Sequence, residues 1–262
     1  MTDQAPISVV IPSYNRAAVI IPAIHSVLSQ SMRPSEVIVV DDGSVDETKM
    51  AVESVNDPIL RYVRQNNSGA NAARNRGIEE CRYQTIAFHD SDDIWLPEKL
   101  KLQWTHMQAS GVAASFGRFI RVTERSSKLY PIEKPIGDVI RVIRETAFHR
   151  NFLSTQTLVV DRDVILKIGA FDPLFKRFQD WDVMMRLVGA VDFAFHWEPL
   201  ALVMDSQDSI TRNYTAGINA RKRMLSKYAT EYGARPKSRL IMKKDILVRQ
   251  TAHIIQKGRS AS

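Results

Sequence analysis

Residues 84–95, QTIAFHDSDDIW, contain a short apolar run that breaks into three aspartates within four positions. The run Thr85–Phe88 is short and flanked by polar residues, which predicts a buried β-strand rather than a helix. Open α/β sheets bind their ligands at the carboxyl ends of the strands, where Asp90, Asp92 and Asp93 would lie. Carboxylates this close raise one another's pKa unless a cation joins them, and oxygen ligands suit Mg²⁺ or Mn²⁺. The alternative is a solvated turn in which an aspartate caps the following helix.

Strands and helices alternate through the first hundred residues. The run Ile7–Pro12 predicts a first strand, and EVIVV at Glu36–Val40 predicts a second. Continuous apolar strands that alternate with helices indicate a parallel sheet covered on both faces. The other elements predicted in this part are helices at Ala17–Ser29, Ser44–Val55 (opened by a capping box of Ser44 and Glu47) and Gly69–Cys81, and a strand at Ile59–Val63.

The pattern changes after Trp95. We expect an α/β domain with a nucleotide-binding half at 1–96, an acceptor-binding and catalytic half of mixed elements at 97–210, and a basic helical tail at 211–262. The stretch Thr123–Asn151 has no clear period and is predicted to form loops and a helix over the site. The elements predicted in the second half are helices at Lys99–Gln108, Asp161–Ile168 and Gln179–Gly189, and strands at Val112–Val122 and Ser154–Val160.

Composition indicates a soluble protein of the reducing cytoplasm. Of the 262 residues, 44% are hydrophobic and 25% charged, and the single Cys81 excludes a disulfide framework within the chain. No apolar run reaches the roughly 18–20 residues that span a bilayer, and the N-terminus lacks the order of a signal peptide. We therefore expect a cytoplasmic protein, with peripheral contact at the inner membrane face left open.

The net charge of +7 is concentrated at the C-terminus, where residues 211–262 hold thirteen Lys and Arg against two acids. This tail carries +11, so the preceding 210 residues carry −4. A basic segment suggests an anionic partner, and no zinc-knuckle or recognition-helix pattern favours nucleic acid. Its apolar residues either meet an anionic leaflet or pack on the catalytic domain or a second subunit. These residues are Ile218, Met224, Leu225, Ile241, Ile246, Leu247, Ile254 and Ile255.

Four motifs occur in order along the first half: ISVVIPSYNR, EVIVVDDGS, NNSGANAARNRGI and IAFHDSDDIW. Their order and spacing resemble the family 2 glycosyltransferases, and the resemblance continues through AFDPLFKRFQDWDVMMRL to about residue 210. It implies a GT-A fold, with a mostly parallel Rossmann-like sheet flanked by helices. It also implies an inverting enzyme of glycan or polysaccharide biosynthesis, which moves a sugar from a nucleotide-sugar, expected to be UDP-linked, to a hydroxyl of a saccharide or lipid-linked acceptor.

The donor would be bound by the ends of the first strands. The ring of Tyr14 can stack on a base, and Asp42 can accept a hydrogen bond from a uracil imide, the role that the resemblance gives it. The alternative for Asp42 and Asp41 is a turn ahead of the Ser44 cap. The resemblance also places Arg74 near the nucleotide. The full predicted donor set is Pro12, Tyr14, Arg16, Asp42, Arg74, Asp90 and Ser91.

The resemblance divides the DSDD acids by role. Asp90 would face the ribose or a metal-bound water, Asp92 would ligate Mn²⁺ or Mg²⁺, and Asp93 would be a second metal or sugar contact. The cation would offset the charge of the departing diphosphate. His89, beside these acids, is expected to pack rather than to bind a ligand.

The helix QDWDVMMRLVG separates its two acids by geometry. Asp180 shares a face with the apolar residues three, four and seven positions later, whereas Asp182 precedes Arg186 by four and predicts an ordinary surface ion pair. Burying a carboxylate on an inward face costs folding free energy, so such a residue is expected to have a functional role. Asp180 is therefore the candidate general base, in agreement with the resemblance. Gln179 stands where the family has Glu. The alternative is that Asp180 only favours the helix N-terminus.

Two rival functions remain open on the sequence alone. One is a sugar-phosphate nucleotidylyltransferase, although PSYNR lacks the glycines typical of its first loop. The other is a catalytically silent nucleotide-sugar binder. A P-loop NTPase is excluded because no G-x-x-x-x-G-K-[ST] motif occurs. Family members often carry Arg or His near the diphosphate at the position of residues 204–211, where this chain offers Asp205, Ser206 and Gln207.

Overall fold

The computed structural model of the chain describes residues 3–131, 137–204 and 214–259. The first half alternates β-strands and α-helices, as the sequence predicts. Its elements are β1 Asp3–Ser13, α1 Ile20–Leu28, β2 Met32–Asp41, α2 Thr48–Glu53, β3 Leu60–Arg64, α3 Ala70–Glu80 and β4 Thr85–Phe88. The pairs β1–β2, β2–β3 and β1–β4 are all parallel. The carboxyl ends of these strands therefore meet at one edge of the sheet.

The second half extends the same sheet with strands of both directions. Its elements are β5 Ile94–Trp95, α4 Lys99–Ser110, β6 Ala114–Thr123, β7 Ser126–Tyr130, α5 Val139–Thr146, a 3₁₀ turn at Thr155–Thr157, β8 Val159–Asp161, α6 Arg162–Lys167, α7 Gln179–Ala190 and β9 Phe193–Met204. In the described part of the chain, the strand order is β3-β2-β1-β4-β8-β6-β9-β5, with β7 paired to β6. The strand β8 joins the halves because it pairs antiparallel with both β4 and β6.

Three predictions differ from the structure, and the first is the stretch Thr123–Asn151, which contains the strand β7 as well as the expected helix. The capping box at Ser44 and Glu47 is wrong, because α2 begins at Thr48 without a side-chain cap from Glu47. The hydroxyl of Ser44 instead donates to Asp41 and accepts from the backbone N–H of Asn15, 2.8 Å away. Only the end of the strand predicted at Ser154–Val160 is extended, since its first part forms the 3₁₀ turn.

Buried side chains cover both faces of the sheet, as expected for continuous apolar strands. Along β1, Ile7, Val9 and Ile11 pack into one apolar cluster, whereas Val10 belongs to the other. Helix α3 lies very close to this second face: a Cβ added at Gly77 would stand 2.2 Å from a methyl carbon of Val10. Position 77 therefore admits no side chain, and glycine fixes how closely α3 packs on β1.

The C-terminal region forms three helices, α8 Tyr214–Lys227, α9 Ala229–Gly233 and α10 Pro236–Arg259. Their apolar residues belong to the same core cluster as α7, which favours the packing alternative for this part of the tail. The buried ones are Ile218, Ala220, Met224, Tyr228, Tyr232, Met242 and Ile246, with Leu225 partly buried. Ile254 and Ile255 lie outside the side chains that the structure describes.

One face of α10 remains exposed. Leu240, Leu247 and Val248 are 68%, 65% and 57% exposed, and Ile241 is 37% exposed. Within the described ranges, no helix combines the length and the apolar character that crossing a bilayer requires.

Candidate active site

A cavity of about 960 Å³ opens at the carboxyl ends of β1, β2 and β4. Both halves of the chain line it, so the residues after β4 and the start of α7 share one cavity. All ten predicted site residues line this one cavity: Pro12, Tyr14, Arg16, Asp42, Arg74, Asp90, Ser91, Asp92, Asp93 and Asp180. The three candidates Asp205, Ser206 and Gln207 fall outside the described residues.

The segment after β1 turns sharply at the mouth of the cavity. Asn15 adopts the left-handed conformation, with a φ of 52°, and its side chain accepts a hydrogen bond from the backbone N–H of Val45 at 2.9 Å. This turn leaves the neighbouring Tyr14 47% exposed on the cavity wall. The Tyr14 ring is thus available for a flat ligand such as a base.

The two aspartates after β2 have different surroundings. Asp41 is fully buried and accepts hydrogen bonds from Ser44 and Tyr62, so the turn interpretation describes it well. Asp42 lines the cavity and accepts three hydrogen bonds, from the backbone N–H groups of Ser68 at 2.8 Å and Gly69 at 2.7 Å and from the side chain of Gln65 at 2.7 Å. These bonds fix the entry to α3. A carboxylate has about four acceptor sites, so Asp42 keeps about one for a ligand.

Helix α3 brings a buried cation to the acids. The guanidinium of Arg74 donates to Asp90 at 2.6 Å and to the side chain of Asn71 at 2.9 Å. Arg76, two positions further, forms an exposed pair with Glu80 on the same helix and does not line the cavity. Arg74 therefore acts on the cavity by holding Asp90.

Two asparagines of α3 bind the segment that precedes α7. Asn71 donates to the carbonyl oxygens of Asp172 and Phe175, each at 2.9 Å. Asn75 donates to the carbonyl of Phe171 at 2.8 Å and accepts from its N–H at 3.0 Å. These bonds tie α3 to the segment that leads to Asp180.

The DSDD acids form a closely spaced group. Burial and the charge of Asp90 raise the pKa of Asp92, whereas Arg16, 3.7 Å away, lowers it. Burial, Asp90 and Asp92 raise the pKa of Asp93 well above its usual range. Asp93 accepts a hydrogen bond from the N–H of Met204 at 2.8 Å, which links the acids to the end of β9. As predicted from the sequence, these carboxylates sit too close to be ionised without cost.

The chemistry of this group fits a divalent cation. A cation beside Asp92 would offset the repulsion that raises the pKa values of Asp92 and Asp93. In the part of the chain that the structure describes, no cluster of three or more His, Cys, Asp or Glu could hold a metal by itself. Mg²⁺ and Mn²⁺ commonly need only one or two carboxylates when substrate phosphates complete the shell, so the acids present suit such an ion.

His89 behaves as a packing residue. It is fully buried, its ring centroid lies 4.8 Å from that of Trp95, and burial lowers the pKa of His89 to about 3. The imidazole is therefore neutral at physiological pH.

Asp180 faces the cavity from the first turn of α7. The carboxylate accepts a hydrogen bond from the side chain of Asn151 at 3.0 Å, and Phe178, in the left-handed conformation, begins the helix. Burial raises the pKa of Asp180, which is the shift that a general base operating near neutrality requires. Gln179 also lines the cavity.

Asp182 is not a surface residue. The pair with Arg186 exists as predicted, but Asp182 is fully buried, so the expectation of an ordinary surface pair is wrong. The reason lies in the C-terminal helices: Tyr228 donates to Asp182 at 2.6 Å, and the ammonium of Lys227 lies 2.8 Å from it. Both acids of α7 thus face inward, Asp180 toward the cavity and Asp182 toward α8.

Several polar residues of the site were not found from the sequence. Gln156 donates hydrogen bonds to Asp90 and Asp93, and Asn151 positions Asp180. Asn71 and Asn75 belong to the quoted motif NNSGANAARNRGI, so the repeated asparagines were a signal for these two. Gln156 and Asn151 lie in stretches without a motif, and no sequence signal marks them.

Parallel strands that end at a carboxylate-rich cavity, with an aspartate facing it from a separate helix, are typical of α/β proteins that bind a ligand at the carboxyl ends of their strands. The model of glycosyl transferase family 2 matches residues 8–169. Over 201 residues the chain is 30% identical to the putative colanic acid biosynthesis glycosyl transferase WcaA of Escherichia coli, covering 76% of this chain and 71% of that protein. The chain belongs to glycosyl transferase family 2, as its motifs predict.

Other relatives agree with this membership. The chain is 33% identical over 167 residues to the putative teichuronic acid biosynthesis glycosyltransferase TuaG of Bacillus subtilis, covering 62% of this chain and 65% of TuaG. It spans only 24% of an uncharacterized glycosyltransferase of Rickettsia conorii. The family model ends at residue 169, so α7 and the C-terminal helices lie beyond it.

The fold matches a solved structure. Residues 1–349 of TarS from S. aureus superpose with a TM-score of 0.66 at 21% identity, covering 84% of this chain and 65% of that one. The same region of TarS in complex with UDP-GlcNAc gives a TM-score of 0.68 at 19% identity, covering 84% and 66%. The expected GT-A fold is confirmed.

Proposed function

We propose that the chain is an inverting glycosyltransferase that moves a sugar from a UDP-sugar to an acceptor hydroxyl in polysaccharide biosynthesis. The observation that carries the proposal is that Asp180 and the DSDD acids line one and the same cavity. Family membership supports the reaction class. A relative 33% identical over 125 residues is named as a UDP-Glc:α-D-GlcNAc-diphosphoundecaprenol β-1,3-glucosyltransferase, which supports a UDP-linked donor and a lipid-linked saccharide as acceptor.

The residues of the cavity can divide the work of one displacement. Tyr14 stacks on the base, and Asp42 accepts from the uracil imide. Asp180 takes the proton from the acceptor hydroxyl, whose oxygen then bonds to the anomeric carbon. The bond from that carbon to the diphosphate oxygen breaks, and its electron pair leaves with UDP. The single displacement inverts the anomeric configuration.

Mn²⁺ or Mg²⁺ is proposed as the cofactor, held by Asp92 with Asp93 as a less direct contact. When bound, such an ion stabilises negative charge on the departing diphosphate. Asp93 already accepts hydrogen bonds from Met204 and Gln156, whereas Asp92 pairs with Arg16 at 3.7 Å. Asp92 is therefore the better placed of the two to exchange its partner for a cation.

The exposed face of α10 is proposed to contact an anionic membrane surface. Leu240, Lys244, Leu247 and Val248 are all exposed, and their spacing of four, seven and eight residues places them on one helical face. Lysines beside apolar side chains suit an anionic leaflet, with about 1 kcal/mol for each basic residue near the surface. This contact would place a cytoplasmic enzyme at the inner face of the membrane, where a lipid-linked acceptor is found.

A donor screen tests the proposed function. The chain is incubated with a panel of UDP-sugars and other nucleotide-sugars, with and without Mn²⁺, and the release of free nucleotide is measured. We expect UDP release from one or a few UDP-sugars, dependent on a divalent cation. If no nucleotide-sugar is bound or turned over, the proposal is wrong.

A further inference from the structure

Gln156 lies between two of the cavity's carboxylates. Its side-chain amide nitrogen donates one hydrogen bond to Asp90, at 2.6 Å, and one to Asp93. Its amide oxygen accepts from the hydroxyl of Ser154. The residue is buried, and every polar atom of its side chain has a partner.

The turn that carries Gln156 is fixed from beneath by two other elements. The indole N–H of Trp95, from β5, donates to the carbonyl of Gln156 at 2.9 Å. The side chain of Gln103, from α4, donates to the carbonyl of Thr157 at 2.8 Å. The side-chain nitrogen of Lys99 lies 3.9 Å from the centroid of the Trp95 ring, which packs the indole in place. The backbone of Gln156 is therefore held in place, as well as its side-chain amide.

Each of the two acids is held through both of its oxygens. Asp90 accepts from Arg74 on one oxygen and from Gln156 on the other. Asp93 accepts from the N–H of Met204 on one oxygen and from Gln156 on the other. The amide is neutral, so it holds two carboxylates at a set spacing without adding a charge that would compete with a bound cation.

We propose that Gln156 is a positioning residue of the donor site, which fixes Asp90 and Asp93 so that Asp92 alone is free to move toward the diphosphate and its cation. The inference rests on the proposed function. It assigns no contact between Gln156 and the donor, because the amide acts through the two aspartates. Loss of the amide is expected to let Asp90 and Asp93 separate and to weaken the donor site.

Two substitutions remove the amide in different ways. Gln156→Leu removes both donated hydrogen bonds, and Gln156→Glu keeps the shape but replaces the N–H donors by a third acid. The matched control is Gln30→Leu, because Gln30 is also buried and makes three hydrogen bonds, to Ser26, Leu96 and Leu100. UDP affinity is measured by titration calorimetry with Mn²⁺, and folding by thermal melting. We expect at least tenfold weaker UDP binding for Gln156→Leu, a larger loss for Gln156→Glu, and a change below twofold for Gln30→Leu.

A swap of partners separates positioning from simple packing. In Gln156→Glu with Asp93→Asn, the new asparagine can donate to the glutamate and still accept from Met204, so the hydrogen bond between positions 156 and 93 is restored with its direction reversed. We expect the double variant to bind UDP at least threefold more tightly than Gln156→Glu alone, and this gain to exceed the effect of Asp93→Asn in the otherwise unmodified chain, which neither a role in filling space nor the loss of one charge would produce.

The outcomes separate this inference from the proposed function. If the unmodified chain binds UDP and Gln156→Leu binds it equally well, the positioning role is overturned. Equal weakening by Gln30→Leu, or no gain from the swap, would also overturn it, because general destabilisation would then explain the loss. If the unmodified chain binds no UDP with Mn²⁺, the proposed function itself fails.

Discussion

The hydroxyl of Tyr228 donates a hydrogen bond of 2.6 Å to the buried carboxylate of Asp182, and thereby joins the C-terminal helices to the helix that carries Asp180. The hydroxyl of Tyr232 also donates a hydrogen bond, to the carbonyl of Phe148 just after α5, at 2.7 Å. The helices after residue 213 are thus part of the framework behind the cavity, although the matched family model ends at residue 169.

Removing the Tyr228 hydroxyl tests this connection. Tyr228→Phe removes a hydrogen bond to a buried charged group, although Lys227 still contacts the same carboxylate oxygen, and this should cost about 1–3 kcal/mol of unfolding free energy. Urea denaturation followed by circular dichroism measures the change. Tyr83→Phe, in a half-buried tyrosine elsewhere, should change stability little. Equal stability of Tyr228→Phe and the unmodified chain would show that the contact contributes nothing.

The two acids of α7 should respond oppositely to the same substitution. Asp180→Asn keeps the hydrogen bond from Asn151 but cannot accept a proton, so turnover should fall by roughly 10²- to 10⁴-fold with UDP binding intact. Asp182→Asn disrupts a buried pair with Arg186 and should cost about 3–5 kcal/mol of stability. Kinetics and denaturant unfolding on both variants distinguish the roles. A larger catalytic loss at Asp182, in a variant that is still folded, would reverse the assignment.

The raised pKa of Asp180 predicts a pH dependence of turnover. Only the ionised carboxylate can accept the hydroxyl proton, so kcat should fall as the pH drops through the pKa of Asp180. Because burial raises that pKa, the acid limb should lie above 3.8, the value of an unperturbed aspartate. The measurement is kcat against pH at saturating substrates, with unfolding monitored in the same buffers. An acid limb that persists in the residual activity of Asp180→Asn would assign it to another group.

Asp92 is the predicted cation ligand. Asp92→Ala should remove nearly all turnover and most of the Mn²⁺-dependent gain in UDP affinity, while the melting temperature changes little because the side chain is partly exposed. Calorimetry of UDP with and without Mn²⁺ gives both affinities. Unchanged UDP affinity with Mn²⁺ in this variant would mean that the cation is placed wrongly.

The exposed face of α10 predicts a salt-dependent membrane affinity. The chain should sediment with anionic vesicles at low salt, dissociate at high salt as the charges are screened, and ignore neutral vesicles. Truncation before α8 is unsuitable as a test, because it removes core residues such as Met224 and Tyr232.

Surface substitutions are the better probe of this affinity. Replacing Leu240, Leu247 and Val248 by serine should abolish sedimentation with anionic vesicles. The matched control is Leu174→Ser, since Leu174 is also 65% exposed but lies outside α10. If the triple variant and the control bind equally well, the affinity belongs to another surface.

Local sequence patterns predicted the parallel half of the fold, because strand ends follow directly from apolar runs, and the family resemblance added several of the cavity residues. The same reasoning misplaced the start of α2, since Ser44 has a capping pattern but its hydroxyl is engaged by Asp41 and Asn15. The spacing of residues in a sequence predicts only hydrogen-bond partners that are close in the chain. The hydroxyl of Ser44 found a partner 29 residues away instead.

Residues whose partners are distant in the chain were missed for the same reason. Gln156 binds Asp93 across 63 residues, and Tyr228 reaches Asp182 across 46. Helical periodicity placed Asp182 four residues before Arg186 correctly, but it cannot show that another helix covers that pair. Burial of a charge depends on tertiary packing, which one segment does not encode.

The bonds from Asn71 and Asn75 to the segment 171–175 have a consequence for exchanging parts between relatives. Both asparagines bind only backbone atoms of that segment, so they do not read the side chains of Phe171, Asp172 or Phe175. Consider a chimera that joins the α3 side of this cavity to the α7 side of another family member. It should keep the hydrogen bonds between the two sides, provided that the two asparagines and the course of that backbone are retained. Acceptor choice could then be recombined as a module while the donor half stays unchanged.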